Sequence, residues 1–225
     1  MRLSPALSIS QAQGKSWTIA GASGERHHVD DLTPTELREY DRQMHDARRR
    51  DWLAGRRAAK QAVAAHCGVP ATRVRLVRHE GGGAAPNVVL RDDARARAIS
   101  LSISISHCDG LGLAAVADHP ARIGVDLEHA GQIEREHLRY FLSSAEWLVA
   151  ERVGTTVVWT LKEAAWKALQ LGDTTPFSAL RLAIDRASEL RGVWLHGNWI
   201  PAAARTWRVS RDHVAAAVYV GPSSQ

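Results

Sequence analysis

Apolar and polar residues alternate from Leu101 to Ser106. Leu101, Ile103 and Ile105 interleave with Ser102, Ser104 and Ser106, the pattern of a strand with one buried face. Cys108-Asp109-Gly110 is a turn signal, and the apolar run over 111–117 returns as a partner strand. A second alternation covers 122–128, with Ile123, Val125 and Leu127 set against Gly124, Asp126 and Glu128. Helical spacing takes over at 157–171, where Leu161, Ala165, Ala168 and Leu169 share an apolar face. Gly172 stands as its stop, and Pro176 cannot continue it. Trp159, Glu163 and Lys167 recur every four residues and line a second face of that helix. Further helices are expected over 33–47, 49–67 and 134–151. Further strands are expected at 16–20, near 73–79, at 178–185, and at 204–210 and 213–220, the last two as a hairpin. Glu80 to Pro86, with three glycines, reads as a loop. The order is not a strict βαβ alternation, so a doubly wound sheet is not expected. The fold class is α+β in two halves, 1–118 and 119–225, and no sequence repeat is visible.

Composition narrows the classes. The chain has 225 residues, 45 % of them apolar, enough for a packed core in one or two small domains. Its apolar runs are far below membrane-spanning length, and no signal peptide is expected at the start. Cys67 and Cys108 are too few for a disulfide framework or a structural zinc site, so a cytoplasmic protein with free thiols is expected. A formal net charge of +5 points to acidic partners. Nucleic acid, an anionic membrane and a small acidic protein all satisfy that charge. The basic residues concentrate between Arg38 and Lys60, and the run Arg48-Arg49-Arg50 reads equally well as a solvated helix face. A nucleic-acid binder finds little support: zinc-finger spacing is absent, and beyond Trp52 the arginine run at 48–57 is not interleaved with aromatic residues.

Three pieces carry chemistry. Asp126 and Glu128 lie two apart on a strand, so they share a face with Cα atoms about 6.5 Å apart. Such carboxylates repel unless a cation sits between them; a solvated strand edge is the other reading. Glu163 and Lys167 form either an ordinary helical ion pair, worth a few tenths of a kcal/mol, or, with the strand carboxylates, a kit for a hard metal ion and a phosphate. Magnesium takes a few such oxygens and borrows the rest from water and substrate phosphate, as in metal-assisted phosphoryl transfer. His107 ends its strand beside a hairpin, either reaching a ligand or solvated.

In this order the pieces resemble the 4′-phosphopantetheinyl transferases that activate carrier proteins of polyketide, nonribosomal-peptide and fatty-acid synthases. The resemblance rests on Ser106-His107, on Gly124-Val125-Asp126-Leu127-Glu128, and on Trp159 to Ala168, which reads as Trp-x-x-Lys-Glu-Ala-x-x-Lys-Ala. Tyr140 to Trp147 resembles the family's Phe-Ser-x-x-Glu segment. Leu32-Thr33-Pro34-Thr35-Glu36 is similar to its helix opening, and Asp51 to Arg56 with Lys60 to its Gly-Arg helix. The match runs over roughly residues 30–172, and the last motif is the most specific.

The resemblance implies a surfactin-synthetase-activating type: two similar halves in a pseudo-twofold arrangement, with coenzyme A in the cleft between them. It implies Mg²⁺, replaceable by Mn²⁺, held by Asp126, Glu128 and Glu163. Glu163 and Lys167 are the implied catalytic residues. Arg50, Arg56, Lys60, Ser106, His107 and Lys167 are the implied contacts to coenzyme A. The implied partner is an acidic acyl or peptidyl carrier protein, docking beside helix 134–151; no nucleic acid or membrane partner is implied, and the implied state is a monomer. A catalytically silent coenzyme A or carrier-protein binding module on the same fold is the alternative, against which the intact carboxylate set argues. Replacing Lys162, about 100° around the helix from Glu163, is expected to cut turnover much less than replacing Lys167. Two departures stand out. Gly81 to Pro86 lacks the basic residue that family members often carry before the proline, and Glu36 and Glu39 fall where basic residues are expected.

Overall fold

Helix starts and stops are written in local chemistry. Thr33 caps the first helix, α1 (Pro34–Asp41): its hydroxyl accepts from the Glu36 amide while the Glu36 carboxylate accepts from the Thr33 amide, a capping box with proline just inside the helix. Helix α2 (Asp46–Cys67) ends at Gly68, which takes the left-handed conformation (φ 66°) that closes helices with little strain. These elements belong to a computed structural model that describes residues 17–24, 29, 32–77, 86–92, 95–131, 133, 135–172 and 174–222. The glycine-rich stretch Gly81 to Ala85 lies outside the described residues.

The chain divides into two compact units, Met1–His119 and Pro120–Gln225. In the first, β1 (Trp17–Ser23) precedes α1 and α2. The strands β2 (Val74–Val77), β3 (Asn87–Asp92), β4 (Arg95–Ile99), β5 (Leu101–Cys108) and β6 (Leu111–Asp118) follow. They form two antiparallel sheets, ordered β1-β6-β5 and β2-β3-β4. In the second unit, β7 (Arg122–His129) precedes α3 (Arg135–Leu138), α4 (Ser144–Val153) and α5 (Thr155–Ala168). Then come β8 (Leu180–Ile184), β9 (Leu190–Leu195), β10 (Asn198–Pro201), β11 (Ala203–Arg208) and β12 (His213–Val220). The sheets here are β7-β12-β11 and β10-β9-β8, again antiparallel.

The two units follow one plan. Each opens with a strand, continues through helices ending in a long one, makes a 3₁₀ turn, runs a three-stranded meander, and closes with a hairpin whose last strand pairs with the opening strand. The fold is α+β with two similar halves. The likeness is topological, which is why no repeat shows in the residues.

Small residues set the layer spacing. In the first unit, Ala54, Ala58 and Ala62 of α2 and Ala114, Ala115 and Ala117 of β6 are fully buried. A Cβ on Gly112 of β6 would sit 2.2 Å from the Ala54 carbonyl. The core of the second unit gathers Leu138, Val149, Val158, Leu161, Leu180, Val193 and Val218.

Three expected helices change shape. The helix placed over 33–47 stops at Asp41, where Arg49 folds back to donate to the carbonyls of Gln43 and Asp41. That placed over 134–151 is two helices. Ser143 between them is extended (φ −67°, ψ 163°) and caps α4 through a second capping box with Glu146. That placed over 157–171 runs from 155 to 168. Gln170, at φ 55°, supplies the left-handed residue. Its amide bonds the Lys167 carbonyl and the Leu171 amide bonds the Trp166 carbonyl, a Schellman closure two residues before Gly172. Strands β3 and β4 fall outside the expected elements: β3 carries only the short apolar run Val88-Val89-Leu90, and in β4 Arg95 and Arg97 alternate with alanines.

Candidate active site

The close approach of β7 to α5 builds the site in the second unit. A Cβ on Gly124 would lie 1.9 Å from the Ala164 carbonyl oxygen and 2.4 Å from the Ala168 amide nitrogen. Only glycine lets the strand lie this near the helix backbone. Two and four residues further along β7, Asp126 and Glu128 are carried towards the helix face that bears Trp159, Glu163 and Lys167. This is the physical reason for glycine at the head of the Gly-x-Asp-x-Glu strand.

The four charged groups act on one another. Lys167 Nζ donates to Asp126 Oδ1 at 2.5 Å, with Asp126 buried and the lysine side chain 30 % exposed. Burial, then the neighbouring Asp126, push the Glu128 carboxyl up to about 7 from its ordinary 4.5, despite the Trp159 hydrogen bond and Lys167; Glu163 adds to the rise. Glu163 is also raised, first by burial, with Lys167 lowering it and Asp126 raising it. Three carboxylates thus share one ammonium. A hard divalent cation suits this donor set, because its ligands are all oxygens and the site carries excess negative charge. The donor chemistry fits magnesium, and the three carboxylates would have to draw closer together to share one ion.

Trp159 steers one carboxylate. Its indole N–H points to Glu128 Oε1 at 3.4 Å. The ring is wedged against Phe141 and Phe177, with centroids 5.6 and 5.1 Å away, and Trp166 closes the cluster on Phe177 at 4.9 Å. Helical spacing alone puts Trp159 on the site face but gives Phe177 no part.

Lys162 has a structural role that its helix angle does not reveal. It is fully buried. Its Nζ donates to Glu146 Oε2 at 3.0 Å and to the Phe141 carbonyl at 2.7 Å. Glu146 in turn accepts from the Ser143 and Leu182 amides. One buried ion pair therefore ties α5, the start of α4 and strand β8 together. Burial holds the Lys162 pKa below the ordinary lysine value, with Glu146 opposing. The signal that could have found this pair is the Ser-x-x-Glu capping box at Ser143 to Glu146.

The first unit holds the other expected residues. Ser106 is buried on β5 and His107 is exposed next to it. A Cβ on Gly55 of α2 would come within 3.3 Å of His107 Cδ2, so that glycine makes room for the imidazole. Arg50 is exposed. Arg56 is bonded to Glu39 at 2.5 Å and lies over the Trp52 ring. Lys60 is buried and bonded to Glu36 at 2.7 Å. Glu36 and Glu39, the acidic departures, are thus the partners of the two basic residues. Glu36 with Lys60 repeats the device of Glu146 with Lys162: in each unit a capping-box glutamate meets a buried lysine of the long helix.

Strand β7 thus sets two carboxylates, Asp126 and Glu128, beside the helix face that carries Glu163 and Lys167. The family model of the 4′-phosphopantetheinyl transferase superfamily matches residues 122–218, from the start of β7 into β12. That part of the chain is similar to a domain of this superfamily. The superfamily transfers 4′-phosphopantetheine to carrier proteins and generally uses coenzyme A and a divalent metal. No curated protein matches the chain. No helix among the described residues is long and apolar enough to cross a membrane.

Proposed function

We propose that the protein is a magnesium-dependent transferase that moves the 4′-phosphopantetheine arm of coenzyme A onto a serine of an apo acyl or peptidyl carrier protein, as a two-half activator of the surfactin-synthetase type. The observation that carries this reading is the convergence of Asp126, Glu128, Glu163 and Lys167 within the stretch similar to a domain of the superfamily.

Asp126, Glu128 and Glu163 hold the metal. When bound, magnesium neutralises charge on the pyrophosphate of coenzyme A and orients it. Lys167 supplies a compact ammonium to the phosphoryl oxygens, exchanging its bond to Asp126 for one to substrate. Glu163 takes the proton of the incoming carrier serine. Adenosine 3′,5′-bisphosphate leaves. Ser106 and His107 are assigned to coenzyme A, with His107 donating to a phosphate. Of the three cations assigned to the nucleotide, Arg50 has the exposed side chain, while Arg56 and Lys60 are paired with Glu39 and Glu36 and would offer a ligand their remaining N–H groups.

The experiment is direct. Incubation with coenzyme A, Mg²⁺ and an apo carrier protein should release adenosine 3′,5′-bisphosphate, detected by chromatography. Chelation should stop the release, and Mg²⁺ or Mn²⁺ should restore it. Undiminished release under full chelation would overturn the metal assignment.

A further inference from the structure

The first unit contains a cavity of about 630 Å³ that the proposed transfer does not use. It opens where the end of α2 meets β4 and the start of β5. Ser106 and His107 lie at the far end of β5, five to six residues on, or about 17–20 Å along the strand. The volume falls in the range of small-molecule sites, roughly 300–1,000 Å³.

One wall is apolar. Val69, Leu90, Ile99 and Leu101 line it, each half-buried against the core of the unit. The other side is polar and mostly cationic. Arg73 and Arg97 line the cavity, with Asp118 the one carboxylate among the lining residues. Asp118 is 67 % exposed at the rim and is hydrogen-bonded by His66 Nε2 at 3.1 Å. The His66 ring is 7 % exposed and is fixed on its other nitrogen by the Thr18 hydroxyl at 3.2 Å. That wall is therefore built, with both ring nitrogens engaged. Arg97 stands opposite Leu90 across the β3–β4 ladder, which sets a guanidinium beside an apolar side chain. Its charge reaches Cys67 at the end of α2, where burial and Asp118 nevertheless hold the thiol pKa up. Cys67 thus presents a neutral thiol rather than a competing anion.

We propose that this cavity binds a small amphipathic anion, with its carboxylate or phosphate head at Arg73 and Arg97 and its hydrocarbon part against Val69, Leu90, Ile99 and Leu101. Guanidinium pairs favour planar or bidentate oxyanions, and the apolar wall rewards a short chain or ring.

Cys67 provides the readout. The intact protein is treated with a maleimide alone or with octanoate, octyl phosphate, octanol or octylammonium, and labelling at Cys67 and Cys108 is read by peptide mass. Octanoate or octyl phosphate should slow labelling of Cys67 but not of Cys108, at concentrations about tenfold below those needed for octanol. Whichever anion protects at lower concentration identifies the head group. Octylammonium should not protect. Arg97→Glu and Arg73→Glu, both at exposed positions, should each raise the protecting concentration by about tenfold or more with the melting temperature retained. Equal protection by octanol, equal protection of Cys108, no protection at about 1 mM of either anion, or full protection in both variants would overturn the proposal.

Discussion

Gly124→Ala tests how the site is assembled. The added methyl carbon would stand 1.9 Å from the Ala164 carbonyl oxygen and 2.4 Å from the Ala168 amide nitrogen, where ordinary contact begins at 3.4 Å. Both atoms are helix backbone, so no side chain can rotate away. Relief requires β7 and α5 to separate by about 1.5 Å, and overpacking of this kind costs roughly 1–3 kcal/mol, occasionally more. The same separation moves Asp126 and Glu128 away from Glu163 and Lys167. A misplacement of about 1 Å at a reacting centre can cost about 100-fold in rate. Gly172→Ala is the control, since nothing lies within 4 Å of the point where its methyl would stand. Thermal melting and carrier modification are measured on both variants. Gly124→Ala should melt several degrees lower and lose at least about 100-fold in transfer, while Gly172→Ala keeps both. Wild-type melting and transfer in Gly124→Ala would refute the close-approach argument.

Other outcomes follow from the same geometry. Lys162→Ala should destabilise by about 3–5 kcal/mol, because it strands the buried Glu146 carboxylate, whereas Lys167→Ala, at a side chain 30 % exposed, should destabilise less and lose transfer; denaturant unfolding and activity separate the two. Asp126→Asn or Glu163→Gln should abolish metal-dependent transfer with the fold intact, read by circular dichroism and bisphosphate release. The Glu128 carboxyl has a folded pKa of about 7 against an ordinary 4.5, so the folded state binds more protons than the unfolded state between those values. Stability without metal should therefore fall as pH rises from about 4.5 to about 7. Added Mg²⁺ should raise the melting temperature more above pH 7 than at pH 5, and equal stabilisation at both would contradict the carboxylate cluster. Rising salt should raise the apparent Michaelis constant for an acidic carrier more than it lowers maximal turnover.

The periodic parts of the fold are legible in the sequence. Alternation at 101–106 and 122–128 marks β5 and β7, and four-residue spacing puts Trp159, Glu163 and Lys167 on one face of α5. Boundaries set by single side chains are less so. Ser143 splits the expected 134–151 helix because its hydroxyl and Glu146 form a capping box, a signal no periodicity carries. Gln170, in the left-handed conformation, ends α5 before the glycine that sequence favours. The structural part played by Lys162 is hidden for a related reason. Helix spacing gives its angle from Glu163, but only tertiary structure reveals that this angle points into the core, at a carboxylate sixteen residues away. The paired acids Glu36 and Glu39 read as departures in the sequence because nothing there shows Lys60 and Arg56 coming to rest on them.

The intact mass of an apo carrier protein, before and after incubation with this protein, coenzyme A and Mg²⁺, tests the central claim most directly. The account predicts a gain of one phosphopantetheine unit on the carrier serine, absent with Glu163→Gln or when that serine is replaced. A carrier panel that binds the protein yet gains no mass under any metal condition would contradict it.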